Sequence, residues 1–157
     1  MKSRPFFNPD TFHAEASRHA HRYFIPLLGL YSGARLNELA SLDSKEVFET
    51  ESGFWCLKIK TLKQKTERYR LVPVHSHLID LGFIEYAEKQ KSSLFPELHE
   101  SRDGKGQIVS KWYNRYRRSV GLTKKRNQDF HCYRHTVATN LAKQGVASTT
   151  ISQILGH

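Results

Sequence analysis

Residues 54–74 read FWCLKIKTLKQKTERYRLVPV and decide the fold class, because they interrupt a chain otherwise patterned as helices. The aromatic and branched residues of 54–59 and of 69–74 predict two strands, the second ended by Pro73. A basic loop joins these two strands, and Val47-Phe48 can add a short first strand. The stretch therefore predicts a small antiparallel sheet.

Helical patterns flank this sheet on both sides. Apolar residues recur at helical spacing over 21–32, where Pro26 predicts either a kink or a later helix start. Gly121 and Gly145 stand where helix C-terminal caps are expected. We predict helices over residues 10–19, 21–32, 34–42, 76–91, 107–119, 131–144 and 147–155. The predicted fold class is mainly α with a small antiparallel β-sheet (α+β).

The composition indicates a single compact domain that is not secreted. The chain has 157 residues and is 38% hydrophobic, enough for a core and too apolar for a disordered chain. No apolar run approaches the roughly 20 residues that a membrane span needs, and no signal core follows Met1. Cys56 and Cys132 are the only cysteines, so neither a disulfide framework nor a structural zinc site is indicated. We expect no membrane association and a cytoplasmic location.

The net charge of +10 predicts a polyanionic partner, and it is concentrated in two segments, residues 58–70 and 105–128. Tyrosine and tryptophan side chains are interleaved with the basic residues there, a combination that suits a sugar-phosphate surface. A solvated surface remains the alternative interpretation of such segments. The candidate DNA contacts in them are Lys63, Arg68, Lys111, Arg115 and Arg118.

Two pairs of residues carry candidate chemistry. Arg35 and Glu38 follow a glycine break and are three apart on a helix, so Glu38 can orient the guanidinium. His131 and Arg134 have the same spacing, and they combine a group that moves protons near neutral pH with a planar fork for phosphate oxygens. A surface salt bridge and a capped helix start are the alternatives. A zinc site at 131, 132 and 135 lacks a convincing further ligand.

Two further features gain meaning only in combination with these pairs. The hairpin loop Lys63-Gln64-Lys65-Thr66 can swing a lysine into a site as a mobile acid, or it is a solvated loop. The sequence Leu155-Gly156-His157 follows a helix that its glycine terminates.

In this order the motifs resemble the tyrosine recombinase (phage integrase) family. The segments LLGLYSGARLNELASL, RLVPVH, SKWYNRY, FHCYRHTVATNLAKQGV and ILGH all read like integrases of phages and genomic islands. The resemblance implies the catalytic fold of that family and site-specific breakage and rejoining of double-stranded DNA. It further implies a 3′-phosphotyrosine intermediate, integration or excision of a mobile element, and no cofactor or metal.

The resemblance also implies a role for each candidate residue. Arg35 and Arg134 would clamp the scissile phosphate, and Lys65 would protonate the leaving 5′-oxygen. His131 would assist proton transfer, and His157 would donate a hydrogen bond to the phosphate. These five are the expected catalytic residues.

Three neighbouring residues complete the expected site. Glu38 would support Arg35, and His135 would pack or orient rather than react. A shift of one or two residues in the loop would put Lys63 in the place of Lys65.

The chain departs from the family in lacking a tyrosine after the last histidine, since all seven tyrosines precede His157. We therefore expect residues 1–9 to be a leader or linker and 10–157 an incomplete catalytic domain, a fragment inactive in cleavage. The full-length parent is expected to form a homotetramer on DNA, and the fragment to be monomeric. The alternatives are a non-catalytic DNA-binding module, a decayed integrase, a type IB topoisomerase and a helix-turn-helix over 137–157.

Overall fold

The computed structural model describes residues 9–61, 68–123 and 129–156, with side chains from residue 19 onward. Helix α1 runs Pro9–Ser32, and its backbone leaves helical geometry at His19 (φ −145°, ψ 56°) rather than at Pro26. The predicted break between two helices is thus a kink inside one. Gly33 follows with φ +63°, a left-handed conformation that glycine adopts without strain, and it turns the chain into the next helix.

Helix α2 is short, Leu36–Ala40, and a single 3-10 turn (Ser44–Glu46) leads into the sheet. The strands are β1 (Val47–Glu49), β2 (Trp55–Lys60) and β3 (Tyr69–Pro73), paired antiparallel in the order β1-β2-β3. The register places Leu57 opposite both Val47 and Val72, so these three apolar side chains lie on one face. The predicted antiparallel sheet is confirmed.

The prediction of a single helix over residues 76–91 was wrong. Two short helices occupy that region, α3 (Ser76–Asp80) and α4 (Phe83–Glu88). Gly82 separates them with φ +77°, a backbone conformation that no helix contains. The remaining helices are α5 (Gly106–Ser119), α6 (His131–Lys143) and α7 (Ser148–Leu155), close to their predicted bounds.

The core lies where α1, α2, the inner face of the sheet, α4 and α5 meet. Its fully buried apolar side chains belong to all of these elements and include Phe24, Leu28, Leu39, Ile59, Phe83 and Val109. Burying such side chains supplies the main favourable free energy of folding. The fold class predicted from the sequence, mainly α with a small antiparallel sheet, is confirmed.

Two glycines let the end of α1 approach the C-terminal helices closely. A Cβ on Gly29 would lie 2.6 Å from the Phe130 ring, and one on Gly33 would lie 2.6 Å from Leu155 Cδ2. Larger residues would therefore push α6 and α7 away from α1. This close packing brings the residues that follow α1 next to the start of α6 and the end of α7.

Within the described residues, no helix has the length and apolar character required to cross a membrane.

Candidate functional site

A buried carboxylate, Glu38, organises the region where α2, β3 and α7 meet. Its side chain is 2% exposed, and its Oε2 accepts a hydrogen bond from the backbone N–H of Arg35 at 2.9 Å. This is the return half of a capping box, in which the third residue of a helix satisfies the residue that caps it. Oε1 lies 3.0 Å from Nη1 of Arg35, so the same carboxylate also orients the Arg35 guanidinium.

Arg70 on β3 is the second partner of Glu38. Its Nη2 donates to Oε2 at 2.6 Å and its Nη1 to Oε1 at 3.3 Å, which makes the contact bidentate. Its Nε donates to the carbonyl oxygen of Ile154 at 2.9 Å, so Arg70 also holds the last turn of α7. The Arg70 side chain is 9% exposed. It therefore cannot serve as part of the DNA-binding surface predicted over 58–70.

The sequence did contain a signal for the position of Arg70. Side chains two apart on a strand share a face, so Arg70 lies on the same face of β3 as buried Val72. A charged residue on the apolar face of a strand needs a buried partner. Glu38 is that partner.

Arg134 of α6 approaches the same cluster from the opposite side. It is 4% exposed, and its Nη1 donates to the carbonyl oxygen of Gly33 at 3.0 Å. This bond joins α6 to the turn between α1 and α2. The predicted arginines, Arg35 and Arg134, are thus held on either side of one short turn.

The cluster carries more positive than negative charge. Three guanidinium groups, those of Arg35, Arg70 and Arg134, face the single carboxylate of Glu38. Burial raises the pKa of Glu38, but the hydrogen bonds from Arg70 and Arg35 and the Arg70 charge hold it below its ordinary value. Burial, and then repulsion by Arg35, lower the pKa of Arg134, although the guanidinium stays charged. Such a site is electrostatically suited to an anion.

His131 and Arg35 line one hollow of about 540 Å³ beside this cluster. Thr61 at the end of β2 and Phe130 also contribute to its wall. Burial, with repulsion from His135, Arg134 and Arg35, lowers the pKa of His131. His131 is therefore mostly neutral near pH 7 and can accept a proton.

His135 is exposed and packs edge-on against His131, with ring centroids 4.9 Å apart and planes at 83°. The packing or orienting role expected of His135 stays a prediction. Lys63, Lys65 and His157 lie outside the described residues. Of their chain neighbours, Thr61 donates from its N–H to the oxygen of Arg68 at 2.8 Å, and the oxygen of Gly156 accepts from Arg35 at 3.4 Å.

The candidate DNA contacts that the structure describes are all exposed, namely Arg68, Lys111, Arg115 and Arg118. Arg117, from the same basic segment, is different because it is 1% exposed. Its Nε bonds Oδ1 of Asn114 at 2.9 Å and its Nη1 the oxygen of Leu122 at 3.1 Å, so it holds the C-terminal end of α5. Arg70 and Arg117 must both be subtracted from the predicted basic surface.

Sequence reasoning missed one positioning residue besides Arg70. Asn37 of α2 accepts from the N–H of Gly106 at 2.9 Å and donates to the oxygen of Asp103 at 3.2 Å. These bonds fix α2 against the start of α5. In the part of the chain that the structure describes, no three His, Cys, Asp or Glu side chains are placed to hold a metal ion.

Residues 10–157 match the phage integrase family. The chain belongs to this family. The comparison with curated proteins returns no match.

Solved structures of site-specific recombinases share this integrase fold. The XerH recombinase bound to its difH substrate aligns with a TM-score of 0.65 and 23% identity, over 88% of this chain and 40% of that one. The XerA recombinase aligns with a TM-score of 0.63 and 23% identity, over 93% of this chain and 52% of that one. The Tn1549 transposon integrase, in complex with a circular intermediate DNA, aligns with a TM-score of 0.63 and 16% identity, over 96% of this chain and 57% of that one. This integrase chain thus spans about half the length of these structures, and the fold is that of a tyrosine recombinase catalytic domain.

Proposed function

We propose that this chain is the catalytic domain of a site-specific DNA recombinase that breaks and rejoins double-stranded DNA through a 3′-phosphotyrosine. Its substrate is a phosphodiester of duplex DNA. The observation that carries the proposal is the cluster in which Arg35 and Arg134 flank one turn beside the hollow lined by His131. Family membership supports the reaction class.

The chemistry follows from where charge develops. When a tyrosine hydroxyl attacks the phosphorus, negative charge builds on the two non-bridging oxygens. Arg35 and Arg134 bind these oxygens, and His157 adds a hydrogen bond to them. Because the guanidinium groups are fixed before the reaction, they need little reorganisation as the charge appears.

Proton transfer completes the step. The attacking tyrosine loses its proton with help from His131, the O–P bond to tyrosine forms, and the bond to the 5′-oxygen breaks. Lys65, or Lys63 if the loop is shifted, supplies the proton that the 5′-oxygen takes. The energy of the broken bond is kept in the phosphotyrosine, so no nucleotide cofactor is required.

The proposal assigns the nucleophile to a tyrosine outside these 157 residues. This tyrosine would come from a segment C-terminal to His157. The active assembly would be a homotetramer on DNA. Integration or excision of a mobile element, in the cytoplasm, is the process in which such a domain would act. The 157-residue chain alone would then bind DNA as a monomer and form no covalent adduct.

The decisive experiment is adduct formation on a nicked suicide duplex. The gene product carrying residues 1–157 and the codons that follow should form a covalent protein–DNA adduct, and the 157-residue chain should not. A tyrosine among those codons supports the recombinase. A stop codon directly after His157, with DNA binding intact, would instead indicate the non-catalytic DNA-binding module.

A further inference from the structure

We propose that Arg70 is a positioning residue of the recombinase site, which fixes Arg35 through Glu38 and fixes the end of α7 through Ile154. The inference rests on the proposed function. It assigns a role within that site to a basic residue that does not line the hollow.

Arg35 and Arg70 share the carboxylate of Glu38. Each oxygen of Glu38 bonds both arginines: Oε1 takes Nη1 of Arg35 and Nη1 of Arg70, while Oε2 takes the Arg35 N–H and Nη2 of Arg70. The Arg35 side chain is 34% exposed on the hollow, whereas Arg70 is 9% exposed behind it. Arg70 therefore fixes the carboxylate from the buried side and leaves its other edge to orient Arg35.

Arg70 also contacts the end of α7. Arg70 Nε holds the Ile154 oxygen, and Gly156 packs directly on the guanidinium, since a Cβ there would lie 2.7 Å from Arg70 Nη1. The oxygen of Gly156 in turn accepts from Arg35 Nη1. One guanidinium thus sets the position of both Arg35 and the backbone that leads to residue 157.

Lysine cannot replace this geometry. A guanidinium offers donors in a rigid plane, whereas an ammonium is a point charge on a flexible stem. Arg70 uses all three of its nitrogens, on the Glu38 carboxylate and on the Ile154 carbonyl oxygen. Arg70→Lys keeps the charge and removes the positioning, so it separates the two contributions.

The test compares Arg70→Lys with Arg117→Lys, in the purified chain. Arg117 is a still more deeply buried guanidinium that holds the end of α5 through Asn114 and Leu122 rather than through Glu38, so it controls for a merely structural loss. The readout is the displacement of the Arg35 Nε–Hε NMR signal on addition of a DNA duplex, measured together with the duplex Kd. Arg70→Lys should reduce the displacement at least about twofold and leave Kd within about threefold, because other phosphate contacts supply most of the affinity. Arg117→Lys should change neither.

Two outcomes separate the inference from the function on which it rests. If DNA does not displace the Arg35 signal of the unaltered chain, the proposed function fails. If DNA displaces it equally in Arg70→Lys and Arg117→Lys, only the positioning role is overturned.

A second variant covers the case in which Arg70→Lys does not fold. Arg70→Gln leaves Glu38 and Arg35 unaltered and puts, in place of the guanidinium, an amide that can still donate a hydrogen bond to the carboxylate. It should fold, with a reduced Arg35 displacement that supports the inference. An undiminished displacement in this variant overturns it.

Discussion

Arg134 Nη1 donates a hydrogen bond to the carbonyl oxygen of Gly33, 3.0 Å away and 101 residues earlier in the chain. The bond fixes the guanidinium beside Arg35. We predict that Arg134→Ala in the full-length parent lowers the strand-cleavage rate by at least about 10²–10³-fold, the usual effect of removing one preset donor to a developing oxyanion. Duplex affinity should remain largely intact, because it is spread over many basic residues. Cleavage at a near wild-type rate would refute the assignment of Arg134, and Lys89→Ala, at an exposed residue outside both basic segments, serves as the control.

The pKa of His131 reports on the positive charge of the neighbouring arginine side chains. Its pKa is lowered by burial and by the charges of His135, Arg134 and Arg35. We predict an NMR titration midpoint for His131 below the ordinary histidine value, and a midpoint that moves upward in Arg134→Ala. Because the folded state binds this proton less readily than the unfolded chain, protonation of His131 should lower stability as the pH falls through the ordinary histidine range. An unchanged midpoint in Arg134→Ala would contradict the proximity of the two groups.

Duplex binding should weaken steeply with salt. About six to ten phosphate contacts imply a loss of ~10³–10⁵ in affinity between about 50 and 200 mM salt. Replacing Lys111, Arg115 or Arg118 with Gln should each reduce the slope of log K against log salt by about one. Lys89→Gln is the matched control, since Lys89 is exposed but lies outside both basic segments. A flat salt profile would count against these segments as the DNA-binding surface.

Gly33 and Gly145 offer a matched pair for testing the packing of α1 on α7. Both have left-handed backbones, with φ +63° and +79°, so alanine should cost about 1–2 kcal/mol at either position. At Gly33 the new methyl group would also collide with Leu155 and Val137, whereas at Gly145 it meets nothing within 4 Å. Urea denaturation should therefore show a larger loss of unfolding free energy for Gly33→Ala. Equal losses would show that α7 is not packed closely on Gly33.

The parent's cleavage activity should persist in excess EDTA. Under the proposed function, the arginine cluster would supply the positive charge that a magnesium ion provides in other phosphoryl-transfer sites. The check is adduct formation on the suicide duplex with and without chelator. Loss of activity that added Mg²⁺ restores would contradict the proposal that no metal takes part.

Local sequence patterns were sufficient for most of the fold. Residues 54–59 and 69–74 were assigned to strands because β-branched and aromatic residues favour them, and β2 and β3 lie within one or two residues of these bounds. The region 76–91 was misassigned because one glycine inside a helical pattern is usually tolerated. At Gly82 the chain instead adopts φ +77° and starts a new helix.

The burial of individual charges was less accessible from the sequence. Arg70 and Arg117 were counted with an exposed basic surface, since composition does not distinguish a solvated arginine from a buried one. Their partners, Glu38 and the oxygen of Leu122, are found only when the tertiary packing is known. The pairing of Arg35 with Glu38 was predictable because it is local, although Arg35 caps α2 from an extended conformation and does not lie on the helix with Glu38 as the spacing had indicated.

The hydrogen bond between Arg35 and the oxygen of Gly156 has a practical consequence for anyone who purifies this protein. A tag fused directly after Gly156 would start beside the cationic cluster, because the Gly156 carbonyl oxygen contacts Arg35. A polyhistidine or acidic affinity tag attached there would bring its own imidazoles or carboxylates within reach of Arg35 and compete with DNA. Tags intended for binding measurements therefore belong ahead of α1, at the other end of the polypeptide.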